Sequence, residues 1–254
     1  MICNIEISSA TINKKSRPNQ DNLIIDKYVS CVSGLSSFSS VFISDTSEIR
    51  LFAVADGVGG EASGDVASDI VVRTFSEYLD TLKESGKCIE NLKLVLDKAN
   101  EAVCKKFDGF QLGASTLSGI LIDKNCAYAF NVGDSPMYYL HNSVLKRIDT
   151  AHTMSAPMER KTGEAENTLT RYMGNRNMSG SEQASFSEIP LSEGDIFLIC
   201  TDGVEKGLSE KTISKLLMKK SANTAETIVS KAYSATLREK RPDDTTAIAI
   251  KIYV

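Results

Sequence analysis

The chain has 254 residues, of which 42% are hydrophobic, and a formal net charge of −4. That is enough apolar material for one full core, and a mildly acidic balance without a Lys/Arg cluster excludes nucleic acid as the main partner. No apolar run reaches the length of a bilayer span, which argues against a membrane partner. The first residues, Met1-Ile-Cys-Asn-Ile-Glu-Ile7, lack the basic-then-apolar order of a signal peptide. The six cysteines are scattered with no Cys-x-x-Cys pair, so reduced thiols in a cytoplasmic protein are expected. Only His141 and His152 are present, and no Cys or His pair has zinc-ligand spacing. Any metal would need oxygen ligands, which leaves Mg²⁺, Mn²⁺ or Ca²⁺.

In chain order, residues 2–7 alternate weakly and predict an edge strand. A polar stretch over 10–19 leads through Asn19-Gln20-Asp21 into a short strand at 23–25. Arg17 and Asp21 stand four apart in this loop, close enough to face one pocket, although a surface ion pair explains them equally well. The Ser-rich segment 28–48 reads as a hairpin, with 41–43 as one arm, or as a mobile loop. Residues 51–55 form a short run of Leu, Phe, Ala and Val, which predicts a strand buried on both faces. The strand ends at Asp56, on a turn carrying Gly57, Gly59 and Gly60. A helix follows, marked by Val66, Ala67, Ile70, Val71, Phe75, Tyr78, Leu79 and Leu82. Residues 57–62 match the G-x-G-x-x-G/A dinucleotide fingerprint. However, the acid expected about 20 residues on falls inside that helix, and Asp56 would repel a pyrophosphate.

Residues 88–107 predict a second amphipathic helix. The period then becomes strand-like over 114–122, 126–132 and 137–140, with a turn at 123–125, which reads as an antiparallel meander. Residues 146–185 are polar and irregular, the pattern of a functional flap rather than a linker. Residues 196–201 form another buried strand ending at Asp202-Gly203, helices are expected at 208–218 and 224–237, and 247–254 alternate as a closing strand. The expected fold is α+β, a four-layer α/β/β/α sandwich of mostly antiparallel sheets flanked by helices, in a single domain over 1–254.

Asp56, Asp134, Asp202 and Asp243 share one context, in turns at strand ends. If sheet pairing brings them together, their mutual repulsion calls for divalent cations, and paired metals are a common device for hydrolysing phosphate esters. Four unrelated turn aspartates would look the same in sequence.

The segments Arg17-Pro-Asn-Gln-Asp21, Asp56-Gly-Val-Gly-Gly60, Gly113-Ala-Ser-Thr116, Asn131-Val-Gly-Asp-Ser135, Leu169-Thr-Arg-Tyr-Met-Gly174, Thr201-Asp-Gly203 and Asp243-Asp-Thr-Thr246 occur in this order. Together they resemble the metal-dependent serine/threonine protein phosphatases of type 2C. The resemblance implies two Mn²⁺ or Mg²⁺ ions bridged by Asp56. Asp202 and Asp243 would complete the first ion and the Gly57 carbonyl would lie on the second. It implies that Asp21 stands beside them, that Asp134 belongs to a third, weaker ion, and that Arg17 clamps the phosphate. The implied reaction is a single-step attack by a metal-bridging hydroxide on phosphoserine or phosphothreonine of a protein. That protein would be a serine/threonine kinase or its target, and the enzyme is expected to act as a monomer. Two alternatives are a catalytically silent phosphoprotein-binding module and a phosphatase dedicated to a stress-signalling regulator. Gln20, Val58, Pro136, Ala151 and Asp244 depart from the family pattern. A cysteine-phosphatase loop and a Gly-x-Ser-x-Gly elbow are both missing.

Overall fold

The computed structural model describes residues 4–14, 18–30, 36–43, 49–58, 63–84, 86–108, 112–154, 168–219 and 221–253, and of 36–43 the backbone alone. The first sheet is built from β1 (Asn4–Ile12), β4 (Ser36–Ile43), β9 (Met137–His141), β10 (Val144–Arg147), β12 (Ile196–Cys200) and β13 (Thr245–Tyr253), in the order β10-β9-β12-β13-β1-β4. The second holds β2 (Asp21–Ile25), β3 (Tyr28–Ser30), β5 (Arg50–Val58), β7 (Leu117–Asp123), β8 (Cys126–Val132) and β11 (Ser185–Pro190), in the order β11-β8-β7-β5-β2-β3. The short β6 (Ala114–Ser115) pairs with the end of β5. Every pairing in the two sheets is antiparallel.

Period-two alternation assigns each strand face to a layer. On β5, Phe52 and Val54 point into the core between the sheets with Ile120, Phe197, Ile248 and Ile250, whereas Leu51, Ala53 and Ala55 face helices. Those helices are α1 (Gly64–Glu77), α2 (Leu79–Leu82) and α3 (Cys88–Lys106), which bring Val71, Phe75, Leu92 and Val95 to the same cluster. The short α4 (Gly180–Gln183) packs beside α3. On the far side, α5 (Asp202–Gly207), α6 (Glu210–Leu217) and α7 (Thr224–Arg238) cover the outer face of the first sheet through Val204, Ile213, Leu217, Ile228 and Val229. The result is helix, sheet, sheet, helix, as the sequence predicts.

Several local readings need correction. β1 is not an edge strand, because β13 and β4 flank it on both sides. The segment 28–48 is not a hairpin, since β3 pairs in the second sheet and β4 in the first. Residues 31–35 and 44–48 lie outside the described residues. The meander is broken too, since β7 and β8 pair whereas β9 crosses to the other sheet and pairs with β12. The polar segment 146–185 begins inside β10 and contains α4. Of the cysteines described, Cys88, Cys104, Cys126 and Cys200 are free thiols. No described helix is long and apolar enough to cross a membrane.

Candidate metal centre

Strand register brings the predicted aspartates to one end of the sandwich. Asp21 begins β2 directly opposite Asp56 on β5, so both lie at the same edge of the second sheet. Asp202 follows β12 and Asp243 precedes β13, and these strands are antiparallel neighbours, so both lie at one end of the first sheet. A bond between the layers ties the pairs together: Thr201 Oγ1 donates to Asp21 Oδ2 at 2.7 Å and accepts from Thr246 N at 3.0 Å. Asp134 follows β8 and, with Asp56 and Asp202, lines a cleft of about 640 Å³.

Two close backbone approaches hold the strand ends in place. A Cβ on Gly57 would meet Gly64 O at 1.9 Å, so only glycine lets β5 run this close to the start of α1. A Cβ on Gly203 would meet Asp244 O at 2.2 Å, which seats the start of α5 against the residues leading into β13.

The electrostatics are those of crowded, buried acids. Burial, then Asp244 and Asp243, holds the Asp21 carboxyl well above the usual range, although hydrogen bonds from Thr201 and Thr246 oppose this. Asp56 is raised by burial and then by Asp21, Asp202 and Asp243. Burial, then Asp202, pushes Asp134 up to about 6. Asp202 is raised by burial and relieved by Lys206, whose Nζ stands 2.5 Å from Asp202 Oδ2 and 2.6 Å from Asp243 Oδ2. Asp21 Oδ1 and Asp202 Oδ1 are buried with no hydrogen-bond partner. Orphaned carboxylate oxygens among mutually repelling acids are costly unless a cation meets them, so the donor set fits hard, oxygen-loving divalent ions. Among the described residues, no three acidic, histidine or cysteine side chains close into a cage as they stand; Asp202 and Asp243 are gathered on Lys206 instead.

The other predicted residues have distinct places. Arg17 and Gly59-Gly60 lie outside the described residues. Gly57 donates its N–H to Gln20 O at 3.0 Å, beside the cluster. Gln20 is buried, and its side chain packs where a Cβ on Gly64 would go. Val58 is 44% exposed at the cleft wall. His152 lies in the segment expected to be a flap, of which residues 155–167 lie outside the described residues; its Nδ1 accepts from Gly133 N at 3.1 Å and its Nε2 bonds Ser185 Oγ at 3.0 Å. Sequence reasoning marks Asp244 only as a departure from the family pattern and passes over Lys206. Asp244 accepts from Lys14 N at 2.6 Å and Gln20 N at 3.0 Å, residues that flank Arg17 in the chain. The only sequence signal for Lys206 is the i, i+4 spacing from Asp202.

The described chain is thus a helix-flanked β-sandwich with an acidic cluster at one end, beside a cleft. The protein phosphatase 2C profile matches residues 36–239. The serine/threonine phosphatase stp of Listeria monocytogenes is 29% identical over 203 residues, covering 71% of this chain and 77% of its own. The serine/threonine protein phosphatase PstP of Mycobacterium tuberculosis is 27% identical over 212 residues, covering 80% of this chain and 40% of its own. The catalytic domain of a serine/threonine protein phosphatase PstP, solved with two manganese ions, superposes with a TM-score of 0.74 at 21% identity over 99% of this chain and 100% of that one. Stp1 of Staphylococcus aureus superposes with a TM-score of 0.76 at 20% identity, over 100% of this chain and 96% of its own. The chain belongs to the protein phosphatase 2C family, the metal-dependent serine/threonine protein phosphatases.

Proposed function

We propose that this chain hydrolyses phosphoserine and phosphothreonine on a protein substrate, opposing a serine/threonine kinase, with two Mn²⁺ or Mg²⁺ ions at the carboxylate cluster. Asp56 would reach both ions, Asp202 and Asp243 the first, and the Gly57 carbonyl the second. Asp21 would stand beside them, and Asp134 would serve a third, weaker ion. Bound ions there would lower the pKa of water and offset the charge that gathers on the phosphoryl oxygens. The observation that carries this reading is the pair of buried, partnerless carboxylate oxygens, Asp21 Oδ1 and Asp202 Oδ1, on strand ends from opposite sheets.

The chain's own residues then have clear tasks. Thr201 fixes the Asp21 carboxylate through one oxygen and leaves the other open to the centre. Asp244 holds Lys14 and Gln20, which flank Arg17 in the chain, and the guanidinium fork of Arg17 would suit a phosphate dianion. Apolar wall residues, Val58 and the 81% exposed Leu112, give the cleft a surface for the peptide around the phosphorylated side chain. One observation favours the silent binding module as a second reading: Lys206 already pairs two of the carboxylates.

Hydrolysis of p-nitrophenyl phosphate and of a phosphothreonine peptide decides between the two. The proposal expects turnover with Mn²⁺ that is lost in EDTA and falls at least about 100-fold in Asp56→Asn. A folded wild-type protein that binds the phosphopeptide but turns over neither substrate at saturating Mn²⁺ would establish the silent module.

A further inference from the structure

Lys206 sits among the carboxylates that the proposed function assigns to metal. It lies on α5, one turn after Asp202, and its Nζ bridges Asp202 Oδ2 at 2.5 Å and Asp243 Oδ2 at 2.6 Å. It lines the same cleft as Asp56 and Asp134. Its stem is anchored, because α5 packs on α7 so closely that a Cβ on Gly207 would meet Ala232 O at 2.3 Å. Its side chain is nonetheless 40% exposed, so the ammonium has room to swing out while the helix stays in place.

We propose that Lys206 is a tethered cation of the centre: its ammonium holds Asp202 and Asp243 together in the metal-free protein, and a divalent ion must displace it from those two oxygens to bind. The inference rests on the two-ion reading of the carboxylates. A monovalent ammonium at hydrogen-bond distance from two candidate ligands both occupies their oxygens and repels an incoming cation. It also explains why, among the described residues, the carboxylates form no closed cage as they stand, since two of them are turned toward Lys206. The consequence is a centre whose metal affinity is set by one side chain. It would fill and empty with the divalent-ion concentration rather than hold its ions permanently.

The test measures metal binding directly. Mn²⁺ is titrated by calorimetry into the metal-free wild type and into Lys206→Met, Lys206→Gln and Lys206→Arg, and each protein is melted with and without Mn²⁺. The two neutral variants are expected to bind Mn²⁺ about 10- to 100-fold more tightly, by removal of one nearby positive charge. Lys206→Arg, which keeps the charge, is expected to stay within about threefold of wild type. The neutral variants should also melt lower than wild type in EDTA and gain more from Mn²⁺, because the acids lose their partner in the empty state. Equal affinities in wild type and both neutral variants, with Asp56→Asn binding more weakly, would overturn the role of Lys206 and leave the metal centre standing. No Mn²⁺ binding by any of the four folded proteins would overturn both.

Discussion

Asp244 stands where the type 2C pattern usually carries Asn, and the structure gives the difference a use. Its two carboxylate oxygens each accept a backbone N–H, one from Lys14 and one from Gln20, in a site that is 3% exposed. An asparagine has one acceptor oxygen and would turn its own N–H₂ toward one of those donors. Asp244→Asn is therefore expected to lose about 1–3 kcal/mol of stability, the usual cost of leaving a buried donor unpaired. It should also raise KM for a phosphopeptide severalfold more than it lowers kcat, because the residues it holds, Lys14 and Gln20, flank Arg17 in the chain. Urea melts and steady-state kinetics check both, and a variant with wild-type KM would show that Asp244 has no part in placing Arg17. At this scale the sequence is legible where a motif marks the residue. Asp56 and Asp202 each follow a buried apolar run and directly precede glycine, and that context marks them, although β5 continues past Asp56 to Val58 and Asp202 already opens α5. Asp244 shows in the sequence only as a departure from a motif and Lys206 only as an i, i+4 neighbour of Asp202, because the contacts that give them their places reach 230 and 37 residues along the chain.

The polar segment 146–185 shows the same limit for elements. His152 N donates to Gly133 O at 2.9 Å and His152 O accepts from Thr170 N at 2.8 Å, so the residue joins two described stretches of that segment to the turn that carries Asp134. Because the Gly133 N–H points at Nδ1, the ring proton resides on Nε2 and is given to Ser185 Oγ. Burial, then Arg171, pulls the imidazole down to about 4. Below about pH 6.5 the unfolded chain takes up a proton that the folded ring refuses, so stability falls as the pH drops from about 6.5 to about 4. The expected contribution of this one group is on the order of 2 kcal/mol. Comparing melts at pH 7.5 and pH 5 for wild type and His152→Gln checks it, since the variant should lose less on acidification. A drop of equal size in the two proteins would assign the acid sensitivity to other groups. The long elements, α3 and β8, stand out in the sequence because their period is sustained over several turns or pairs. β10, β11 and α5 are hidden because each is short and polar on its outer face, and tertiary pairing rather than pattern fixes them.

At the scale of the whole molecule, the layer order follows from alternation, whereas the partition of strands between the sheets does not. Consecutive strands usually pair, and here β3 and β4, and again β8 and β9, part company, which no local signal announces. That partition gives the centre its construction: Asp21 and Asp56 hang from one sheet, Asp202 and Asp243 from the other, and the apolar layer between the sheets sets their separation. The two interfaces of the second sheet can therefore be distinguished by experiment. Phe52 fills the layer between the sheets, whereas Phe75 stacks on Phe130 beneath the helices with ring centres 5.6 Å apart, and both are fully buried. Phe52→Ala and Phe75→Ala should each cost about 3–5 kcal/mol in EDTA, because the same side chain is removed from an equally buried site. Only Phe52→Ala lets the sheets settle toward each other and shifts the two aspartate pairs. It is expected to weaken Mn²⁺ binding about tenfold or more, while Phe75→Ala stays within about threefold of wild type. Denaturant melts and Mn²⁺ calorimetry on the two variants read this out. Equal losses of metal affinity would mean that overall stability, rather than the spacing of the sheets, governs the centre.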